Sequence, residues 1–119
     1  MSESSVSSQS RVFNALGNEH RREIIEQLAI QPRSISQLAR HQHLSLPAIH
    51  KHVRVLEEAG MVQRRKTGRT NYLALKREPL VLLQAWIDRF HPWWGTDGES
   101  LENYTEYLSN EEGTSKERQ

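Results

Sequence analysis

From Val12 to Leu56 the apolar positions fall three and four residues apart, the repeat of α-helices that each turn one face inward. Val12, Phe13 and Leu16 make a first cluster, closed by Gly17-Asn18. A helix over 19–30 then carries Ile24, Ile25 and Leu28 on one face and stops before Pro32. Ser34 is placed to cap a shorter helix with Ile35, Leu38 and Ala39 inward, before residues 41–44 interrupt the period. From Ser45 the pattern is most regular: Leu46, Ile49, Val53 and Leu56 are expected to form one continuous buried stripe. Ser45 caps that helix, Pro47 sits in the first turn where a missing N–H is harmless, and Gly60 stops it. Its other face, Pro47, His50, Lys51 and Arg54, has helical spacing of its own and no carboxylate.

Beyond Gly60 the period changes. Residues 61–66 and 71–75 read as two short extended runs around the turn Thr67-Gly-Arg-Thr70, a β-hairpin with a basic tip. After Pro79 another helix places Leu80, Leu83, Ile87 and Phe90 along one side, widened by Leu82 and Trp86, with His91-Pro92 as its end or kink. Trp93-Trp94, glycines at 95 and 98, and then Leu101, Tyr104 and Leu108 point to a last helix whose start the pattern leaves open. Ser-rich residues 1–10 are expected to be a disordered lead-in, residues 11–108 the folded domain, and residues 109–119, without an apolar side chain, a flexible tail.

Composition narrows the chemistry. At 119 residues the chain has room for one domain, and a mean hydropathy of −0.77 leaves little to spare for a self-sufficient core, so a partner subunit is expected to cover some apolar surface. With no Cys there is no disulfide, thiolate metal site or Cys nucleophile. No run approaches the roughly 18 apolar residues of a membrane span and the N-terminus has no signal-like pattern, so a cytoplasmic location is expected. The formal charge of +1 conceals a division. Residues 11–76 hold twelve Lys and Arg against five Asp and Glu, a net +7, whereas residues 77–119 hold four against nine, a net −5. A basic body of this kind calls for an anionic partner, with double-stranded DNA foremost.

Three helices, the third with a carboxylate-free outer face, followed by a basic hairpin, is the order of a winged helix-turn-helix. Residues 15–28, Ser36-Gln-Leu-Ala39, residues 44–62 and Gly68-Arg-Thr-Asn-Tyr72 resemble the ArsR/SmtB family of bacterial repressors over about residues 11–90. The family's recognition helix usually reads Ser-Gln-Pro-Ala-x-Ser-Lys-His-Leu. Ser45, Pro47, Ala48, Lys51 and His52 match, while Leu46, His50 and Val53 depart from it. The resemblance implies a mainly α winged helix-turn-helix that dimerises through its N- and C-terminal helices and represses transcription at a near-palindromic operator. Many members release DNA on binding a metal or other inducer. Here residues 34–39 lack the Cys pair of one familiar site, and Asp88-x-x-His91 with no later His does not build the other. The chain therefore resembles the metal-independent members, with no cofactor expected.

The residues expected at DNA are Ser45, Pro47, Ala48, His50, Lys51 and Arg54 on the recognition helix, and Arg64, Arg65, Lys66 and Arg69 on the hairpin. Those expected at the dimer interface are Val12, Phe13, Leu16, Leu83, Trp86, Ile87, Phe90, Trp93, Trp94, Leu101, Tyr104 and Leu108. The aromatic residues among them could alternatively line an inducer pocket. A hydrolytic triad can be written from Ser45, His50 and Asp88, but Ser45 already serves as a cap, and no enzyme is expected. Two rivals remain. One is a winged-helix protein-interaction module, which would carry acidic or apolar residues on the recognition face; the other is a repressor released by a small molecule or a metal.

Overall fold

A computed structural model describes residues 2–90 and 97–118. The chain runs α1 (Ser2–Leu16), α2 (Glu19–Ile30), β1 (Arg33–Ser34), α3 (Ile35–Gln42), α4 (Leu46–Glu58), β2 (Val62–Thr67), β3 (Thr70–Leu75), α5 (Glu78–Asp88) and α6 (Asp97–Arg118). It divides into two compact units, Met1–Ala85 and Trp86–Gln119. In the segments expected to be lead-in and tail, residues 2–10 continue α1 and residues 109–118 continue α6. Helix α5 ends at Asp88, ahead of the end or kink expected at His91-Pro92, residues that lie outside those described.

The helix boundaries follow local chemistry. Asn18 accepts the Arg21 N–H at 3.2 Å and starts α2. Ser34 and Gln37 form a reciprocal capping box at α3, with bonds of 3.1 and 2.9 Å. Ser45 accepts the Ala48 N–H at 3.3 Å at the start of α4. That helix ends in a paired closure, Gly60 N–H to the Glu57 carbonyl and Met61 N–H to the Leu56 carbonyl, which needs the left-handed φ of 73° that Gly60 supplies. His43, at φ 55°, performs the same closure for α3, its N–H on Arg40 and the Leu44 N–H on Ala39.

The first unit's core joins Ile24, Ile25 and Leu28 of α2, Ile35, Leu38 and Ala39 of α3, and Ile49, Val53 and Leu56 of α4, with Val12 and Ala15 of α1, Met61, Val62 and Leu73. Leu80 and Leu83 of α5 pack against it. The hairpin is antiparallel, from Val62 opposite Leu75 to Thr67 opposite Thr70, and β1 adds a third strand in the order β1-β3-β2. Gly68, at φ 63°, takes the first position of the two-residue loop, where a tight hairpin demands positive φ.

Leu46 departs from the expected buried stripe. Ile49, Val53 and Leu56 are fully buried, but Leu46 is 49% exposed. It opens α4 one turn before Ile49, at the margin of the stripe where burial gives way to solvent. In the second unit the Trp86 and Phe90 rings meet edge to face at 4.7 Å, and Leu101, Tyr104, Tyr107 and Leu108 of α6 are exposed.

This division is measurable. Leu73→Ala removes a fully buried side chain and is expected to cost about 2–5 kcal/mol of unfolding free energy. Leu46→Ala is expected to stay within about 0.5 kcal/mol of the parent. Urea denaturation of both variants checks the pair; equal losses would return Leu46 to the core.

Candidate nucleic-acid interface

The outer side of α4 is built by the burial of its inner side. With Ile49, Val53 and Leu56 fixed in the core, Pro47, Lys51 and Arg54 emerge exposed on one face, with His50 half-buried between them. Ser45 is exposed at the cap and Ala48 half-buried beside it. Helical spacing places Pro47, His50, Lys51 and Arg54 on adjoining rows, and Glu57 and Glu58 enter only in the last turn. The opening turn contains no acidic residue, so its backbone N–H groups and Lys51 combine into a positive end.

The hairpin cations divide by strand alternation. Arg64 shares a face with Leu73, directly opposite it on β3, and its guanidinium donates to Glu57 on α4 at 2.9 Å. This pair ties the hairpin to the end of the recognition helix and offsets part of the charge expected to face DNA. Arg65 lies on the other face opposite Tyr72, Lys66 returns to the face of Arg64 opposite Asn71 nearer the tip, and Arg69 occupies the loop; all three cations are exposed. Exposed Tyr72, with a ring and a hydroxyl beside Arg65, was not among the expected contacts, although its place in the alternation marked it as outward.

A polar cluster beneath α4 also escapes a reading by composition. Arg21 donates through Nε to the Ala15 carbonyl at 2.7 Å and through Nη2 to the Asn14 carbonyl at 3.0 Å, while Arg22 donates to the Leu16 carbonyl at 2.7 Å. The two arginines thus satisfy the Ala15 and Leu16 carbonyls at the end of α1, and Arg21 adds a second bond to the Asn14 carbonyl, which also accepts the Gly17 N–H. Arg21 Nη1 lies 3.3 Å from His52 Nδ1, and a guanidinium can only donate, so that ring nitrogen accepts and the proton of the neutral ring sits on Nε2. The His20 ring is centred 5.5 Å from that of His52, and His20 exchanges hydrogen bonds with Gln42 of α3 through its ring and its carbonyl. Further along the same side of α2, His41 Nε2 of α3 lies 3.1 Å from both Glu23 Oε1 and Gln27 Nε2. Desolvation, followed by the charges of Arg21, His20 and Lys51, lowers the pKa of His52 below its ordinary 6.5.

Of the residues expected at a dimer interface, Val12 is 5% exposed and packs in the chain's own core. Phe13, Ile87, Phe90, Leu101, Tyr104 and Leu108 are exposed, and Leu16, Leu83 and Trp86 are half-buried. Val81 and Leu82 of α5, 65% and 63% exposed, add apolar surface absent from the expected set. Trp93 and Trp94 lie outside the described residues. Among the described residues, no three His, Cys, Asp or Glu side chains are grouped so as to hold a metal ion, and no helix is long and apolar enough to cross a membrane.

A short helix, a tight turn, a second helix with an outward basic face and a basic hairpin beside it define a winged helix-turn-helix DNA-binding protein. Residues 18–64, from the cap of α2 into β2, match the bacterial regulatory protein, arsR family. The chain is 36% identical over 87 residues to HTH-type transcriptional regulator Rv2034 of Mycobacterium tuberculosis, covering 73% of this chain and 81% of that protein. The crystal structure of ArsR family transcriptional regulator RHA00566 superposes with a TM-score of 0.69 at 29% identity, covering 76% of this chain and 93% of that one. The homodimeric winged helix-turn-helix DNA-binding domain of Mb0332 from Mycobacterium bovis shares the fold, with a TM-score of 0.62 at 20% identity over 75% of this chain and 87% of its own. The chain belongs to the ArsR family: it is a DNA-binding transcriptional regulator and not an enzyme. Ser45, the nucleophile of the discarded triad, accordingly caps a recognition helix.

The polar cluster gives a pH-dependent stability of defined sign. The unfolded chain protonates His52 near 6.5 while the folded chain resists it, so the contribution is complete above about pH 6.5 and is lost as pH falls toward the lowered folded value. Melting temperature is expected to drop on acidification below that point, and less steeply in His52→Asn, whose amide oxygen still accepts from Arg21. Parallel slopes for the two proteins would remove His52 from the effect.

Proposed function

We propose that this chain is a homodimeric repressor that places two copies of α4 into successive major grooves of a near-palindromic operator, acting in the cytoplasm. The observation that carries this reading is the exposed face of α4, basic and free of carboxylate through Arg54, with a basic hairpin tied to the same helix by Arg64 and Glu57. Ser45, Pro47, Ala48, His50, Lys51 and Arg54 meet bases and adjacent phosphates in this reading. Arg65, Lys66 and Arg69 neutralise backbone, and Arg64 chiefly positions the hairpin.

Dimerisation is supported by the apolar surface that one chain leaves open. Phe13, Leu16, Val81, Leu82 and Leu83 in the first unit, and Trp86, Ile87, Phe90, Leu101, Tyr104 and Leu108 in the second, supply it, with Trp93 and Trp94 assigned from sequence. Val12 contributes indirectly, as a residue of the first unit's core. The fold shared with the homodimeric domain of Mb0332 supports the same assembly.

Selection of duplexes from a random pool by the purified full chain, followed by sedimentation of the complex, tests the reading. The expected result is a two-fold sequence with half-sites about one turn, roughly 34 Å, apart, bound by two chains. One chain per duplex at saturating protein would overturn it. A promoter carrying that duplex is expected to be silenced, and activation would overturn the repressor role.

Two substitution series follow. Lys51→Ala and Arg54→Ala are each expected to weaken operator binding by about 1–3 kcal/mol with unchanged melting, read by anisotropy titration and thermal denaturation. Replacing Arg65 and Arg69 together by Ala is expected to weaken specific and nonspecific binding by similar factors and flatten log K against log salt by about one to two units. Arg64→Ala is expected to change that slope least of the hairpin arginines. A hairpin variant that kept the slope but lost operator preference would move base recognition from α4 to the hairpin.

A further inference from the structure

Leu46 is the residue of α4 that neither the core nor the charge pattern explains. It opens the helix, directly after the Ser45 cap, and half of its surface meets solvent while Ile49, one turn later, is fully enclosed. Pro47 beside it is exposed and has no N–H to offer. His50 follows Leu46 by one helical turn, so the two side chains share a row that leads onto the basic face. The first surface of the helix is therefore hydrocarbon, bounded by His50 and, across Pro47, by Lys51.

The first residues of a helix inserted in the major groove are the ones that reach base edges. Those edges offer hydrogen-bond donors, acceptors and one apolar group, the C5 methyl of thymine. A leucine in this place satisfies no donor or acceptor, and left against a polar edge it would leave that edge stripped of water without a partner. Only the methyl is complementary to it. Resting on the DNA-binding reading of α4, we infer that Leu46 is a specificity-determining residue that reads one thymine in each half-site through its methyl group.

The test uses the full chain and the operator recovered by selection. Each thymine of both half-sites is exchanged in turn for deoxyuridine, which deletes the methyl and keeps every hydrogen bond. At one thymine per half-site the parent is expected to lose about fourfold in affinity per methyl, the effect of one buried carbon. Leu46→Ala is expected to bind the thymine and deoxyuridine duplexes equally, while melting like the parent. Lys51→Ala, weaker overall, is expected to keep the full thymine preference. A Leu46→Ala protein with the parent's thymine preference, or a parent indifferent to every exchange, overturns the inference and leaves the DNA-binding role of α4 standing. A chain that selects no duplex sequence overturns both together.

Discussion

Three side chains, Ile49, Val53 and Leu56, hold the recognition helix by one side, and the rest of the molecule is arranged around that grip. Each is fully buried, and between them they meet the cores of α2 and α3 and the start of the hairpin. Because they lie on one stripe, their burial sets the rotation of α4 about its own axis, and with it which residues face outward. Lys51 and Arg54 stand outside the core and are exposed because packing elsewhere leaves them so. Position on the helix, more than any contact of their own, makes them available to a duplex.

The positive charge of residues 11–76 does two kinds of work. Arg21 and Arg22 close the end of α1 on the carbonyls of Asn14, Ala15 and Leu16, and Arg64 holds Glu57. An exposed pair such as Arg64 and Glu57 contributes at most about 1 kcal/mol, so its value lies in orienting the hairpin rather than in stability. The cations left to an anionic partner are then concentrated on α4 and on the distal half of the hairpin. A count of charges alone would overstate the electrostatic footprint.

Much of this was legible in the chain. The caps Ser34 and Ser45, the stop at Gly60, the hairpin around Gly68 and the inward rows of α2, α3 and α4 all follow from local rules, because each depends on residues within one or two turns of each other. Strand β1 did not, since two residues show no period and their pairing with Leu73 and Tyr72 is visible only in three dimensions. Leu46 shares the row of Ile49 and Val53 yet stays exposed, because helical spacing identifies a row but not where along it burial ends. The Arg21–His52 contact spans 31 positions and three helices, and no residue spacing announces it. For the site, the helix face was readable as periodicity; the division of labour among the hairpin arginines had to wait for the register that sets Arg64 on the core side.

The left-handed turn at His43 has a consequence for how such a chain can vary. Only residues 43–45 separate α3 from α4, and their path is closed by two backbone bonds and a cap. One residue inserted there would have to be absorbed by turning α4 through about a quarter of a circle, carrying Ile49 and its companions out of the core. A side chain at Gly68 would meet open space among the described residues, at the tip of the hairpin. Length variation among descendants of this chain would therefore accumulate at the hairpin tip, where it alters reach along the duplex, and would be purged between the two helices, where it would erase the reading frame of the recognition surface.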